Sequence, residues 1–164
     1  MTYSRFEELP VWQEAIKLAE DVYDMTESKD WHGSYSLRDQ IERAALSVSN
    51  NIAEGFERGT TSELLAFLYI SRGSAGEVRS MLCFLERRKG FAHFKSQISN
   101  LKSSAESCSR QLRAWADHLQ NSEIKGQRHL NDKSRSSYHS KKEAQEFEQE
   151  LKERFQSRDR SREK

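Results

Sequence analysis

The chain has 164 residues, of which 32% are charged, and its formal net charge is only +1. This length fits one domain with a tail, and the near-neutral charge argues against a protein built mainly around phosphate neutralisation. One proline and seven glycines leave few breaks, which favours long helices over many short strands.

The first predicted element is a helix at residues 9–27. Apolar residues recur there at three- and four-residue steps from Leu9 and Trp12 to Tyr23, and charged residues lie opposite them. This pattern is typical of an amphipathic helix. Pro10 fits its first turn, where a missing N–H costs nothing.

Two further helices follow a polar loop at residues 27–36. The second helix is predicted from a cap at Ser36 to about residues 56–59, because a glycine after the last apolar position often stops a helix. A residue among 60–62 is expected to cap the third helix. That helix should stop near Gly90, where preceding cations complement the helix dipole.

The fourth helix keeps the same apolar spacing from Phe94 to Leu119. Four long helices joined by short loops predict an all-α, antiparallel up-down four-helix bundle over residues 1–120.

The composition changes after residue 120. Residues 1–120 hold 15 Lys and Arg against 17 Asp and Glu, whereas residues 121–164 hold 12 against 9. Residues 121–140 contain few apolar side chains and are predicted to be a flexible linker. Residues 141–164 are predicted to form a short amphipathic helix and a frayed tail.

The predicted C-terminal helix spans residues 141–156 and carries a narrow apolar stripe of Phe147, Leu151 and Phe155. Oppositely charged side chains four residues apart support the helix. Because it cannot bury three large apolar groups alone, we expect the stripe to dock on the bundle, on another subunit or on a partner protein.

The sequence carries no recognisable catalytic or metal-binding constellation. The segment at residues 54–60 has two glycines, but helical flanks surround it and it lacks the Lys–Ser/Thr pair of a phosphate loop. The five histidines have no histidine partner three or four residues away. Cys83 and Cys108 lie in or beside apolar stripes, where neutral buried thiols are usual. We therefore predict no enzyme, no metal and no cofactor.

Small and polar residues in the second and third helices predict close helix packing. Gly73 and Gly76 each cost about 1 kcal/mol relative to alanine in a helix interior, and a closely approaching helix would explain that cost. Gly55 is expected to face them, and Glu54 is expected to be either buried and hydrogen-bonded or placed at a subunit interface. The predicted helix-packing or subunit-interface residues are Asn51, Glu54, Gly55, Gly73, Ser74 and Gly76.

Two basic segments are candidates for nucleic-acid binding. Arg87, Arg88 and Lys89 could hold RNA phosphates, although a solvated helix end is the commoner explanation. The tail segment at residues 133–142 is the better candidate of the two, because it combines cations with aromatic side chains that could stack on bases. Its candidate residues are Lys133, Arg135, Tyr138, Lys141 and Lys142.

The sequence also predicts the cellular location of the protein. No run approaches the length of a membrane span, and the N-terminal residues lack an apolar core of signal-peptide length. With two cysteines at no metal-ligand spacing, we expect a soluble protein of the reducing cytoplasm.

A family resemblance rests on three segments: FEELPVWQEAIKLAEDVY, YSLRDQIERAALSVSNNIAEGFERGT and ELLAFLYISRGSAGEVRSML. In order and spacing they resemble the four-helix-bundle family encoded by intervening sequences within bacterial 23S ribosomal RNA genes. The resemblance covers about residues 6–120. Its most specific piece is Asn51-Ile52-Ala53-Glu54-Gly55, followed by Arg58 and Glu63.

The resemblance implies an up-down bundle without enzymatic activity that assembles as a homo-oligomer, with a pentameric ring typical of the family. It also suggests a nucleic-acid role, through accessory bundle proteins of diversity-generating retroelements that work with a reverse transcriptase and RNA. We predict a non-enzymatic oligomeric scaffold that binds RNA or DNA, or a nucleic-acid enzyme such as a reverse transcriptase. The alternative is a protein–protein adaptor that docks through its C-terminal helix.

Overall fold

The structure is a computed structural model that describes residues 3–121 and, further along the chain, residues 140, 143–144 and 147–149. Its long helices are α1 (Pro10–Glu27), α2 (Tyr35–Glu57), α3 (Thr61–Glu86) and α4 (Lys95–Gln120). Short 3-10 helices at Phe6–Glu8 and Lys89–Phe94 precede α1 and α4. No strand occurs among the described residues.

The four helices form the predicted all-α bundle. Each packs against two others, in the cyclic order α1, α2, α3, α4, and the short connections make successive helices antiparallel. One continuous apolar core fills the space between them. Its largest fully buried side chains include Leu18, Ile41, Ile52, Leu68, Leu82, Ile98 and Leu112.

The starts of α2 and α3 are fixed by side-chain caps. Thr60 caps α3 as predicted: its Oγ1 accepts a hydrogen bond from the backbone N–H of Glu63 at 3.3 Å. The predicted cap at Ser36 is wrong, because Ser34 caps α2 and accepts from the N–H of Leu37. Ser34 has the extended backbone that an N-cap needs, whereas Ser36 already lies inside the helix.

The helix ends use a different mechanism from the one predicted. Helix α2 ends at Glu57 and α3 at Glu86, yet none of the described glycines has a positive φ. Gly59 and Gly90 therefore do not provide the left-handed turn that often ends a helix. Gly90 lies instead in the 3-10 helix that leads into α4.

The chain divides into two units, Met1–Gln127 and Arg128–Lys164. The bundle helices all belong to the first. In the second, the six described residues are helical, and the Phe147 side chain is 62% exposed. The rest of the predicted helix at 141–156, and nearly all of the linker predicted at 121–140, lie outside the described residues.

Candidate functional site

A polar seam joins α2 to α3 on one side of the bundle. Ser47 is its centre: its Oγ lies 2.9 Å from the Oγ of Ser74. The Asn51 amide donates to the Ser47 carbonyl at 2.6 Å and to its Oγ at 2.9 Å. Deeper in the core, the buried Ser71 hydroxyl donates to the Val48 carbonyl at 2.8 Å. The predicted polar contacts of Asn51 and Ser74 thus converge on Ser47, which the sequence analysis did not single out.

Helices α2 and α3 approach each other closely at Gly55. A Cβ added there would lie 2.7 Å from the Cβ of Phe67 and 3.2 Å from the Cδ1 of Leu64. The expectation that Gly55 faces Gly73 and Gly76 is wrong. In an antiparallel hairpin the end of α2 meets the first turns of α3, and those two glycines lie farther along, with open space where a side chain would be.

Glu54 is exposed rather than buried. Its carboxylate accepts a hydrogen bond from Arg58, and the Arg58 guanidinium lies 5.1 Å from the centre of the Phe67 ring. Glu63, at the start of α3, accepts from the Thr60 hydroxyl at 2.7 Å. The Asn-Ile-Ala-Glu-Gly segment and the Arg58 and Glu63 that follow it therefore lie at the α2–α3 turn, and within one chain their contacts are made there. The subunit-interface alternative for Glu54 stays a prediction.

The opposite end of the bundle brings together the α1–α2 loop and the α3–α4 turn. Trp31 packs edge-on against Phe91, with ring centres 5.0 Å apart, and His93 Nε2 lies 3.0 Å from the carbonyl oxygen of Asp30. The exposed rings of His32 and His93 are 6.1 Å apart. Two segments separated by about sixty residues thus form one surface.

Positive charge is concentrated on this surface. We call the basic end the exposed set Lys29, Arg87, Arg88, Lys89 and Lys95. Nine of the other ten Lys and Arg in residues 3–121 form an ion pair with a described acidic residue, and only Arg72 does not. The five basic-end residues form none with any described residue. After the closer Lys102, the charge of Lys95 also helps to lower the pKa of the Glu86 carboxyl, so Lys95 is partly compensated. The other four are the most concentrated unpaired positive charge of residues 3–121.

The surroundings leave these cations available to a ligand. Glu86, the last residue of α3, is engaged by Lys102, whose Nζ lies 2.8 Å from its carboxylate; this hydrogen bond lowers the pKa of that carboxyl. The Arg88 guanidinium is held 5.8 Å from the centre of the Phe84 ring. Asp30 is the only acidic residue in the two connecting segments, 28–34 and 87–94.

Three residues of the basic end, Arg87, Arg88 and Lys89, are candidates from the sequence alone. Lys29 and Lys95 are not, because their sequence neighbours give no sign that the fold brings them to the same end. The tail candidates Lys133, Arg135, Tyr138, Lys141 and Lys142 lie outside the described residues, as do Leu151 and Phe155.

The two cysteines lie in different environments: the Cys83 side chain interacts with the Lys102 ammonium, whereas Cys108 lies in the core. Cys108 is fully buried, and this desolvation raises the pKa of its thiol from 9.0 to about 12. Cys83 is half-buried. Within the described ranges no three His, Cys, Asp or Glu side chains come together as a metal site. None of the helices described there is long and apolar enough to cross a membrane.

Comparison with known proteins places the chain in a family. The profile of the 23S rRNA-intervening sequence protein family matches residues 7–114, which include nearly all of the bundle. No match was found among curated proteins.

A solved structure has a similar fold. It is a protein of unknown function from the S23 ribosomal protein family of Bacteroides thetaiotaomicron, 16% identical, with a TM-score of 0.58. The match covers 65% of this chain and 97% of that one. At this identity the likeness concerns the fold alone, and neither comparison describes a catalytic activity. The match over residues 7–114 establishes that the chain belongs to the 23S rRNA-intervening sequence protein family.

Proposed function

We propose that this chain is a non-enzymatic, homo-oligomeric scaffold that binds RNA or DNA through its basic end. The observation that carries the proposal is the charge distribution. Five exposed cations without an ion pair to any described residue share one end of the bundle, while nearly all the others are paired. A small net charge does not oppose this function, because phosphates respond to local charge.

The neighbouring histidines suit the same role. His32 and His93 are exposed at the same end of the bundle as the cations, and planar rings beside a positive surface can stack on unpaired bases. Single strands, loops and bulges expose such bases. We therefore expect a single-stranded RNA to bind more tightly than a duplex DNA of equal length.

Binding of a fluorescent single-stranded 20-mer RNA tests the proposal. The substitutions Arg87→Gln, Arg88→Gln and Lys89→Gln together are expected to weaken binding at least tenfold at about 50 mM salt, where phosphate contacts are strong. They should also reduce the slope of log affinity against log salt by about 2, since each phosphate contact on a single strand contributes about 0.7.

A matched control removes three exposed cations from elsewhere in the bundle. Arg43→Gln, Arg110→Gln and Arg113→Gln produce the same change in net charge, but each of these arginines already pairs with an acid on its own helix. This variant should keep most of the affinity. Equal losses in both triple variants, or no detectable binding by the unmodified chain at 50 mM salt, contradict the proposal.

The tail candidates form a possible second contact within the same proposal. A tail variant combines Lys133→Gln, Arg135→Gln, Lys141→Gln and Lys142→Gln. It is expected to weaken RNA binding less than the combined Arg87→Gln, Arg88→Gln and Lys89→Gln variant does. A larger loss of RNA affinity in the tail variant would show that the tail makes the principal contact. Tyr138→Ala separates stacking from charge there, since it removes a ring without altering net charge.

The second candidate function is a protein–protein adaptor, and the 62% exposure of Phe147 favours it. In this case Phe147, Leu151 and Phe155 would dock on a partner such as a reverse transcriptase. A pull-down should lose its partners when Phe147→Ala and Leu151→Ala are combined, and Lys152→Ala on the same predicted helix is the control. Partners that bind both variants equally argue against this function.

The oligomeric part of the proposal has a separate test. The family resemblance implies a ring of five, whose mass would be five times the 19.2 kDa of one chain. Light scattering at micromolar concentration measures that mass directly. The mass of a monomer would contradict the oligomeric part of the proposal. The RNA-binding part is tested separately by the binding assay.

A further inference from the structure

Two histidines that are far apart in the sequence meet at the basic end. His32 lies in the loop between α1 and α2, and His93 lies in the 3-10 helix before α4, yet their ring centres are 6.1 Å apart. Both side chains are exposed to solvent. Histidine is the side chain whose charge ordinarily changes between pH 5 and 8. The basic end therefore carries two groups that can add to its charge near neutral pH.

The contacts of His93 determine which of its nitrogens takes up a proton. Its Nε2 lies 3.0 Å from the carbonyl oxygen of Asp30. Because a carbonyl oxygen only accepts hydrogen bonds, Nε2 carries a hydrogen and Nδ1 is the nitrogen that gains one. The ring also packs on Phe94, with ring centres 4.2 Å apart. Protonation of His93 thus adds charge and a second donor without breaking its contact with the α1–α2 loop.

The charged groups at this end of the bundle are almost all positive. The α1–α2 loop contributes Lys29 and Asp30, and α4 contributes Lys95, which is partly compensated by Glu86. The segment between α3 and α4 contributes Arg87, Arg88 and Lys89. These cations attract phosphates to the surface that holds the two rings. An opposite charge within about 6 Å stabilises the charged form of a side chain, so bound phosphates favour protonated histidines.

We propose that His32 and His93 take up protons when RNA binds at the basic end, so that RNA affinity rises as the pH falls. The inference rests on the proposed function and adds a proton-dependent part to it. Toward pH 8, where histidine is ordinarily neutral, the permanent cations act alone. Toward pH 5.5, up to two imidazolium charges join them. By linkage, protons strengthen RNA binding by the same factor by which RNA strengthens proton binding.

The protonated rings also gain hydrogen bonds to the ligand. An imidazolium donates from both of its nitrogens, so His93 can keep the Asp30 carbonyl and offer Nδ1–H to a phosphate oxygen. Such charge-assisted hydrogen bonds are about twice as strong as neutral ones. A ring that stacks on a base also lies beside the phosphates of the same strand, so stacking and proton uptake act together.

Binding of a fluorescent 20-mer of uridine tests the inference, because uracil does not itself gain a proton between pH 5.5 and 8. The full chain is titrated at these two pH values with the salt held at about 50 mM, where phosphate contacts are strong. The unmodified protein is expected to bind about tenfold more tightly at pH 5.5, since an opposite charge commonly displaces a protonation equilibrium by tenfold or more.

Two complementary variants assign the effect to particular histidines. His32→Gln combined with His93→Gln should reduce the pH effect to less than about twofold, because no histidine of the pair remains to change its charge. Glutamine at position 93 can still donate to the Asp30 carbonyl. The matched control replaces the other three histidines of the chain and should keep the full effect: His118→Gln, His129→Gln and His139→Gln.

Calorimetry of the unmodified protein measures proton uptake directly and does not depend on the folding of any variant. The heat of RNA binding is compared at pH 6.5 in two buffers of different ionisation enthalpy, and the difference gives the number of protons taken up. We expect between about 0.5 and 1 proton per bound chain, because an ordinary histidine is about half-protonated at this pH and two can gain about one proton in all.

The outcomes distinguish this inference from the proposed function. A pH effect that the His32→Gln, His93→Gln variant loses and the control keeps supports the inference, as does proton uptake in the calorimeter. RNA affinity that does not change with pH, binding without proton uptake, or a pH effect that only the control variant loses overturns the inference alone. Absence of RNA binding at both pH values contradicts the proposed function as well.

Discussion

Replacing Gly55 with alanine is expected to lower the free energy of unfolding by up to about 2 kcal/mol, since overpacking a filled site costs about 1–3 kcal/mol and the helix propensity of alanine offsets about 1 kcal/mol of it. The new methyl group would lie 2.7 Å from the Cβ of Phe67, an atom fixed to the α3 backbone, so the start of α3 must move. Alanine normally stabilises a helix interior by about 1 kcal/mol over glycine, and the clash has to exceed this gain.

Gly76→Ala is the matched control and should have the opposite sign. Gly76 also lies inside a helix, but nothing is within 4 Å of the added methyl group, so the full propensity gain of about 1 kcal/mol is expected. Urea unfolding of the two variants, followed by circular dichroism at low protein concentration, measures the difference. Similar changes at both positions would contradict the close approach of α2 and α3 at Gly55.

The two cysteines are expected to differ in reactivity by at least about 100-fold, since the thiolate is the reacting species. Burial raises the pKa of the Cys108 thiol to about 12, which lowers its thiolate fraction about a thousandfold relative to a pKa of 9.0. Its side chain is also inaccessible, with no exposed area. Cys83 is half-buried and should react in the native protein.

Reaction with 5,5′-dithiobis(2-nitrobenzoic acid) at pH 8 measures this difference. Native wild-type protein should release one equivalent of chromophore rapidly, Cys83→Ser almost none, and both proteins should react fully in urea. Because the pKa of Cys108 is raised in the folded chain, its contribution to stability is full below pH 9 and is lost as the pH rises towards 12. Rapid release of two equivalents from the native protein would show that Cys108 is not buried.

Much of the fold could be predicted because apolar spacing records which face of each helix is buried. In α3, for example, the apolar residues from Leu64 through Leu68 and Val78 to Leu85 face the core and are buried. Helix boundaries were harder to predict. Ser34 and Ser36 are equally good N-caps by residue type, and only the backbone conformation distinguishes them. Glycines were ambiguous for a similar reason, since Gly55 is tightly packed while Gly73 is open.

The candidate site was only partly predictable, because it joins two distant segments. The contact between Trp31 and Phe91 brings Lys29 and Lys95 to the same end of the bundle. No local sequence pattern predicts that contact.

Photo-cross-linking most directly tests the central claim that the basic end binds nucleic acid. The full chain is irradiated with a single-stranded RNA containing 4-thiouridine, and the linked peptides are identified by mass spectrometry. We predict links within residues 29–32 and 87–95, which should be lost in the Arg87→Gln, Arg88→Gln, Lys89→Gln variant. Links confined to residues beyond 121, or spread over the charged faces of α1 and α4, would contradict it.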